Sequence, residues 1–207
     1  MERITLLNNE KFLRQISKEV DFNDKSYIED IEKLKKICQN DGIFALASVQ
    51  IGIPKRIIYI RNTTSNLDNN FTKGYDEEKI YINPVILRSY GLTKYLEACA
   101  SCPVIDITEM SADEHLLTAI IKRPYALEIE YYDINGNKKN EIIKGFEATI
   151  FSHENDHLNG VLHIDRTDDI WKMDLKQRTE YRKLNPYEII SKNNDFVYQL
   201  NGKNSFL

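Results

Sequence analysis

Cysteine, proline, glycine and tryptophan are all scarce in this chain, which has 3, 5, 8 and 1 of them among its 207 residues. Three cysteines, Cys38, Cys99 and Cys102, are too few and too odd in number for a disulfide framework. They suit a reducing compartment, where cysteine works on metals or in redox chemistry. A collagen-like or low-complexity chain would need far more glycine and proline. The net charge of −4 has no long block of one sign, so no field for DNA or RNA is apparent. No stretch approaches the roughly 18 apolar residues of a membrane span. Met1 to Lys18 is interrupted by Glu2, Arg3, Glu10, Lys11 and Arg14 and lacks the apolar core of a secretory leader. The expectation is a cytoplasmic protein with no membrane partner and no specific DNA site.

What is present is an ordinary globular composition, 42% hydrophobic and 29% charged, enough for one full core. Apolar residues at Tyr27, Ile28, Ile31, Leu34, Ile37 and Cys38 follow a 3.6-residue period, which predicts a helix over Lys25–Asn40 capped from Asn23-Asp24. Strand-like runs follow at Arg56–Ile60, Lys79–Leu87, Leu92–Glu97 and Ala126–Asp133. The last turns through Asn135-Gly136 into Lys138–Lys144 as a hairpin. After Gly145 a second helix is expected over Phe146–Asn159, with Phe146, Thr149, Ile150, His153 and His157 on one stripe. Beyond Arg166 the chain turns polar, with a helix near Trp171–Lys183 and a break at Pro186. The stretch 62–76 and the end from about Lys192 read as mobile.

Three of the four histidines fall in one run, His153-Glu154-Asn155-Asp156-His157-Leu158-Asn159-Gly160-Val161-Leu162-His163. Histidines four apart on a helix can aim both imidazoles at one ion, and Glu154 lies beside them, placed to take a proton from water that the metal acidifies. The bland alternative is a pair of buried, satisfied histidines. For the third ligand two candidates stand. One is His163, which completes the HExxHxxGxxH pattern and resembles the metzincin proteases, with Met173 as a possible Met-turn. The other is Cys99, at the end of an expected strand, whose thiolate with two imidazoles leaves an open position for hydrolysis. Cys99 also begins a CxxC with Cys102. Without a second CxxC or a thioredoxin-like order of elements, Cys102 reads as packing.

Three separated segments, Ile43 to Gly52, Glu97 to Ser101 and His153 to Arg166, resemble in order and spacing those of the peptide deformylases. The likeness covers most of Asp21 to Arg166 and takes in Asn83-Pro84 and Arg123-Pro124. It implies an α+β fold, antiparallel β-sheets around a central helix bearing HExxH, with an additional N-terminal helix. It also implies a catalytic domain over 1–166 and a partly helical C-terminal extension over 167–207. The activity implied is removal of the formyl group from N-formylmethionyl nascent peptides. By the same resemblance Cys99, His153 and His157 hold one divalent metal, Fe(II) by preference, with zinc, nickel or cobalt possible. Glu154 is the general acid/base, while the Gln50 amide and the Ala100 N–H donate to the oxyanion. The helix stripe offers Phe146, Thr149 and Ile150, with Phe44 approaching from the first motif, as a side-chain pocket or as plain core, and the resemblance implies that the peptide docks as an added strand along Phe44–Ala45.

The chain departs from that pattern where Ile43, Ala45 and Ala98 replace glycines, and at Ser48, Ala100 and the longer, acidic connection from Val104 to Leu117. An alanine at 45 needs a negative φ to avoid strain. These departures motivate a second reading, a catalytically silent protein that only binds peptide termini. Lys172, Lys176, Arg178, Arg182 and Lys183 in the tail could touch the ribosome or form a solvated helix face.

Overall fold

A computed structural model of the chain describes residues 3–61, 78–104 and 115–195. The stretch 62–76, most of the connection after Val104 and the residues after Asp195 lie outside these. Twelve elements follow in order: α1 (Leu6–Leu13), α2 (Ser26–Asn40), β1 (Ala45–Ala47), β2 (Ile57–Arg61), β3 (Glu78–Pro103), β4 (Leu116–Arg123), β5 (Ala126–Tyr132), β6 (Lys138–Lys144), α3 (Phe146–Leu158), β7 (Ile170–Met173), α4 (Leu175–Leu184) and β8 (Glu188–Asp195). Short 3₁₀ turns occupy Ser48–Ile51 and His163–Arg166. The fold is α+β, with every strand antiparallel to its partners.

β3 organises the sheet. Its first residues pair with β2, its middle with β5, Tyr90–Lys94 with β8 and Thr93–Pro103 with β4. The sequence suggested two strands here, Lys79–Leu87 and Leu92–Glu97, and the structure corrects this to one strand with shifts of register at Ile82/Val85, Ile86/Arg88 and Tyr90/Leu92. Gly91 makes the continuity possible. It sits at φ +63, and a Cβ there would lie 2.3 Å from the Ser191 carbonyl of β8. Asn83, at φ 50, donates to the Val20 carbonyl and accepts from the Val20 N–H, which fixes the segment leading into α2.

Two cores lie on either side of the central strands. α2 places Tyr27, Ile31, Leu34 and Cys38 against Leu46, Ile57 and Tyr59, as its periodicity requires. Asp24 anchors its start by accepting from the Ser26 N–H and hydroxyl. α3 packs Ala148, Ile150, Phe151 and Leu158 against Ala47, Ile58, Ile60 and Tyr81. Nearly every side chain of α3 is buried, although six of the buried ones are polar or charged, and that burial is the first sign of a site.

The C-terminal helix expected near Trp171–Lys183 is instead a strand followed by a helix. Ile170–Met173 alternates in burial and pairs with β4, and α4 is capped by Asp174, whose carboxylate accepts from the Gln177 N–H while Gln177 Oε1 accepts from the Asp174 N–H. Lys192 to Asp195, read as mobile, belong to β8. β4 begins at Leu116, inside what the sequence suggested was connection. α1 also went unforeseen: it is short and breaks helical geometry at Asn9. Among the described residues no helix is long and apolar enough to cross a membrane.

Candidate metal and active site

α3 opens at Gly145 and carries His153 and His157 one turn apart, so both imidazoles leave the same face. β3 brings Cys99 to them. The ligand atoms of Cys99, His153 and His157 lie within 4.8 Å of one another, and among the described residues no other group of three or more possible ligands is this close. Cys99 Sγ is 3.2 Å from His157 Nε2. His153 Nδ1 is 2.9 Å from Glu97 Oε2, which leaves its Nε2 for the centre of the group. One sulfur and two imidazole nitrogens are a donor set that fits a divalent transition metal. Among the described residues Glu154 Oε2 is buried and has no hydrogen-bond partner.

Burial pushes the Glu154 carboxyl up to about 7, against the opposing pull of His153 and the Ala47 N–H. A group with that value can both take and return a proton near neutrality. Gln50, on the 3₁₀ turn after β1, is held from its other end: its Oε1 accepts from the Ala47 N–H at 2.8 Å. That bond aims Nε2 at Cys99 Sγ (3.6 Å) and Ser101 Oγ (3.1 Å), so the amide N–H groups border the ligand cluster.

Residue types alone did not expose the support beneath the ligands. Glu97 is two residues before Cys99 on β3 and accepts from Arg123 Nε and Nη2 at 2.7 and 2.8 Å while it holds His153. Arg123, with no exposure, also reaches Asp156, and Asp156 accepts from Arg166 Nε at 2.6 Å and from Arg166 Nη2. Burial opposes ionisation of both carboxylates, yet the guanidinium groups hold Glu97 and Asp156 below the usual carboxylate range. A signal existed: strand alternation puts Glu97 on the same face as Cys99 and Tyr95.

His163 lies elsewhere in the scheme. Its Nε2 donates to the Leu117 carbonyl at 3.0 Å, its ring rests on His153 with centroids 5.6 Å apart, and burial lowers it to about 4, so it is neutral and outside the ligand group. Cys102 packs with Leu13 and Leu162.

A family model described as polypeptide deformylase matches residues 1–173. This chain belongs to the peptide deformylase family. It is 38% identical over 159 residues to the peptide deformylase of Pelagibacter ubique, which covers 75% of this chain and 80% of that one. With the enzyme of Finegoldia magna the identity is 32% over 164 residues, 77% and 86% of the two chains. A crystal structure of peptide deformylase from Plasmodium falciparum superposes with a TM-score of 0.63 at 31% identity, covering 88% of this chain and 91% of that chain. Against this family background the replaced glycines cause no backbone strain: among the described residues Asn83 alone, apart from glycines, has a positive φ. Ala45 and Ala98 therefore sit in ordinary extended backbone.

The remaining residues suggested by sequence are gathered around the same helix. Phe44 and Phe146 pack on the core that contains Ala45 and Ile150. Thr149 is buried, with its hydroxyl 3.4 Å from Thr93 Oγ1. β1 stands at the end of the strand order. The Phe44 carbonyl accepts from the Arg61 N–H, so alternation turns the N–H and C=O of Ala45 away from β2, toward the edge that pairs with no strand among the described residues. Ala100, on β3 next to Cys99, is partly exposed.

Proposed function

We propose that this protein removes the formyl group from N-formylmethionyl peptides of nascent proteins and releases formate, with one divalent ion held by Cys99, His153 and His157. The observation that carries the reading is the convergence of those three side chains beside a buried, unpaired Glu154 oxygen. An ion bound there would acidify water and polarise a carbonyl oxygen. Fe(II) is the proposed native metal; zinc, nickel and cobalt suit the same donors.

The chain's own residues do the rest. A peptide adds as a strand along the open edge at Ala45, which fixes its direction and sets the formyl group over the ligand cluster. Its first side chain enters between Phe146, Thr149 and Ile150. Glu154 takes the proton of the attacking water and returns it to the amine as the C–N bond breaks, giving formate and a free amino terminus. Gln50 Nε2 and the Ala100 N–H donate to the carbonyl oxygen as it gains charge. Because Gln50 is already fixed by Ala47, little reorganisation accompanies that step. A ribosomal contact through the tail has less support, since Arg178 bonds the Met173 carbonyl and Arg182 the Leu96 carbonyl.

Iron- or nickel-loaded protein mixed with formyl-Met-Ala-Ser should release formate, measured with a coupled formate dehydrogenase. A preparation with metal bound that releases none overturns the proposal and favours a protein that binds peptide termini without turnover.

A further inference from the structure

Tyr187 lies beyond the residues that match the family model, on the turn between α4 and β8, yet it packs on the helix that carries the histidines. Its ring is edge-on to Phe146, centroids 5.5 Å apart, and 6.0 Å from Tyr95, which is itself 5.2 Å from Phe146. The Tyr187 hydroxyl is 3.4 Å from Thr149 Oγ1, Thr149 is 3.4 Å from Thr93 Oγ1, and Thr93 donates to the Arg123 carbonyl. A series of hydroxyls that ends on a backbone acceptor has a defined direction, with each donating to the next. Tyr187 is thus held at its polar end as well as by its ring.

Tyr95 and Tyr187 also line a cleft of about 510 Å³, bounded by Leu96, Ile120 and Leu184, and its lining does not include Phe146 or Thr149. The two tyrosines therefore stand between this cleft and the Phe146–Thr149 end of α3. Among the described residues the Tyr95 hydroxyl is buried without a hydrogen-bond partner. Core packing ordinarily pairs such a group, whereas the wall of a binding pocket can leave it for an occupant.

We infer that Tyr187 is a specificity-determining residue: it closes the far wall of the pocket for the first side chain, so the C-terminal segment takes part in substrate choice. The inference rests on the deformylase reading of the site. With the wall in place the pocket takes a slender, unbranched side chain, and the rings of Tyr95, Phe146 and Tyr187 offer a thioether the contacts sulfur makes with aromatic edges. With the wall removed the pocket opens into the cleft and admits a bulkier group.

The test compares wild type, Tyr187→Ala, Tyr187→Leu and Tyr187→Phe on formyl-Met-Ala-Ser and formyl-Phe-Ala-Ser, with Ile190→Ala as an exposed control on β8. The ratio of kcat/KM for Met over Phe should fall about tenfold in the Ala and Leu variants, the range one altered pocket contact commands. Most of the change should lie in KM for the Phe peptide. Tyr187→Phe and Ile190→Ala should keep the wild-type ratio. Calorimetric binding of the products Met-Ala-Ser and Phe-Ala-Ser to the zinc-loaded proteins should show the same shift without turnover. An unchanged ratio and unchanged product binding in a folded Ala or Leu variant overturn the role of Tyr187 and leave the deformylase reading intact. A metal-loaded wild type that releases no formate overturns that reading, and the product titrations then decide the pocket wall by themselves.

Discussion

From Phe146 to Ile150, α3 meets rings, hydroxyls and aliphatic side chains; from His153 to His157 it meets carboxylates, guanidinium groups and a thiol. Both halves are buried, and they are buried for different reasons. The first gains from covering apolar area and has neighbours on β3 and on the turn before β8. The second is costly to bury unless each charge is paired, and Glu97, Arg123, Asp156 and Arg166 supply those pairs. Such a network does more for geometry than for stability: it leaves His153 one orientation. One helix thus joins a charge-paired end that carries the candidate metal ligands and an apolar end that we propose selects a side chain, about a turn apart.

The comparison breaks most visibly at the ligands. Cys99→Ala should abolish metal binding and formate release together, whereas His163→Phe should leave metal content near wild type, as read by plasma emission spectrometry on purified protein. Loss of metal from the His163 variant alone would return the site to the metzincin arrangement. Glu154→Ala should retain the ion and lose about 10²–10⁴ in kcat, the usual share of a general acid/base. If that variant turns over formyl-Met-Ala-Ser at the wild-type rate, the proton carrier has been misassigned.

Much of the rigid half was legible in sequence because metal chemistry restricts residue type and spacing together: Cys99, His153 and His157 are brought together as the motifs implied. Glu97 and Arg123 were not legible as supports, since a carboxylate and a guanidinium distant in the chain look like any surface pair until β3 and β4 place them opposite α3. In the fold, α2 and the β5–β6 hairpin follow from local period and turn chemistry. β3 was divided because glycine usually interrupts a strand, and Gly91 here is instead where β8 comes closest. Tyr187 had no signal at all: its role depends on how far the polar tail folds back onto α3.

A smaller effect is expected one layer out in the rigid half. Glu97→Gln keeps shape and one acceptor but removes the charge between Arg123 and His153. Metal affinity should fall about 10–100-fold, the usual result of losing an outer partner of a ligand histidine. Competition with a chelator measures this directly. An affinity within twofold of wild type would mean that α3 alone orients His153, and the division between the halves would lose its basis.

The smallest change belongs to the apolar half. Thr149→Val preserves volume and removes the hydroxyl between Thr93 and Tyr187, both contacts at 3.4 Å and hence at the weak end of hydrogen bonding. Urea unfolding should show a loss of about 0.5–1 kcal/mol. Metal content should hold near wild type, since no charge of the other half is touched. A Thr149→Val protein with depleted metal would show that the hydroxyl series and the ion-pair network, which meet at the Arg123 backbone and side chain, act as one unit, and the two halves of α3 could no longer be treated as separable.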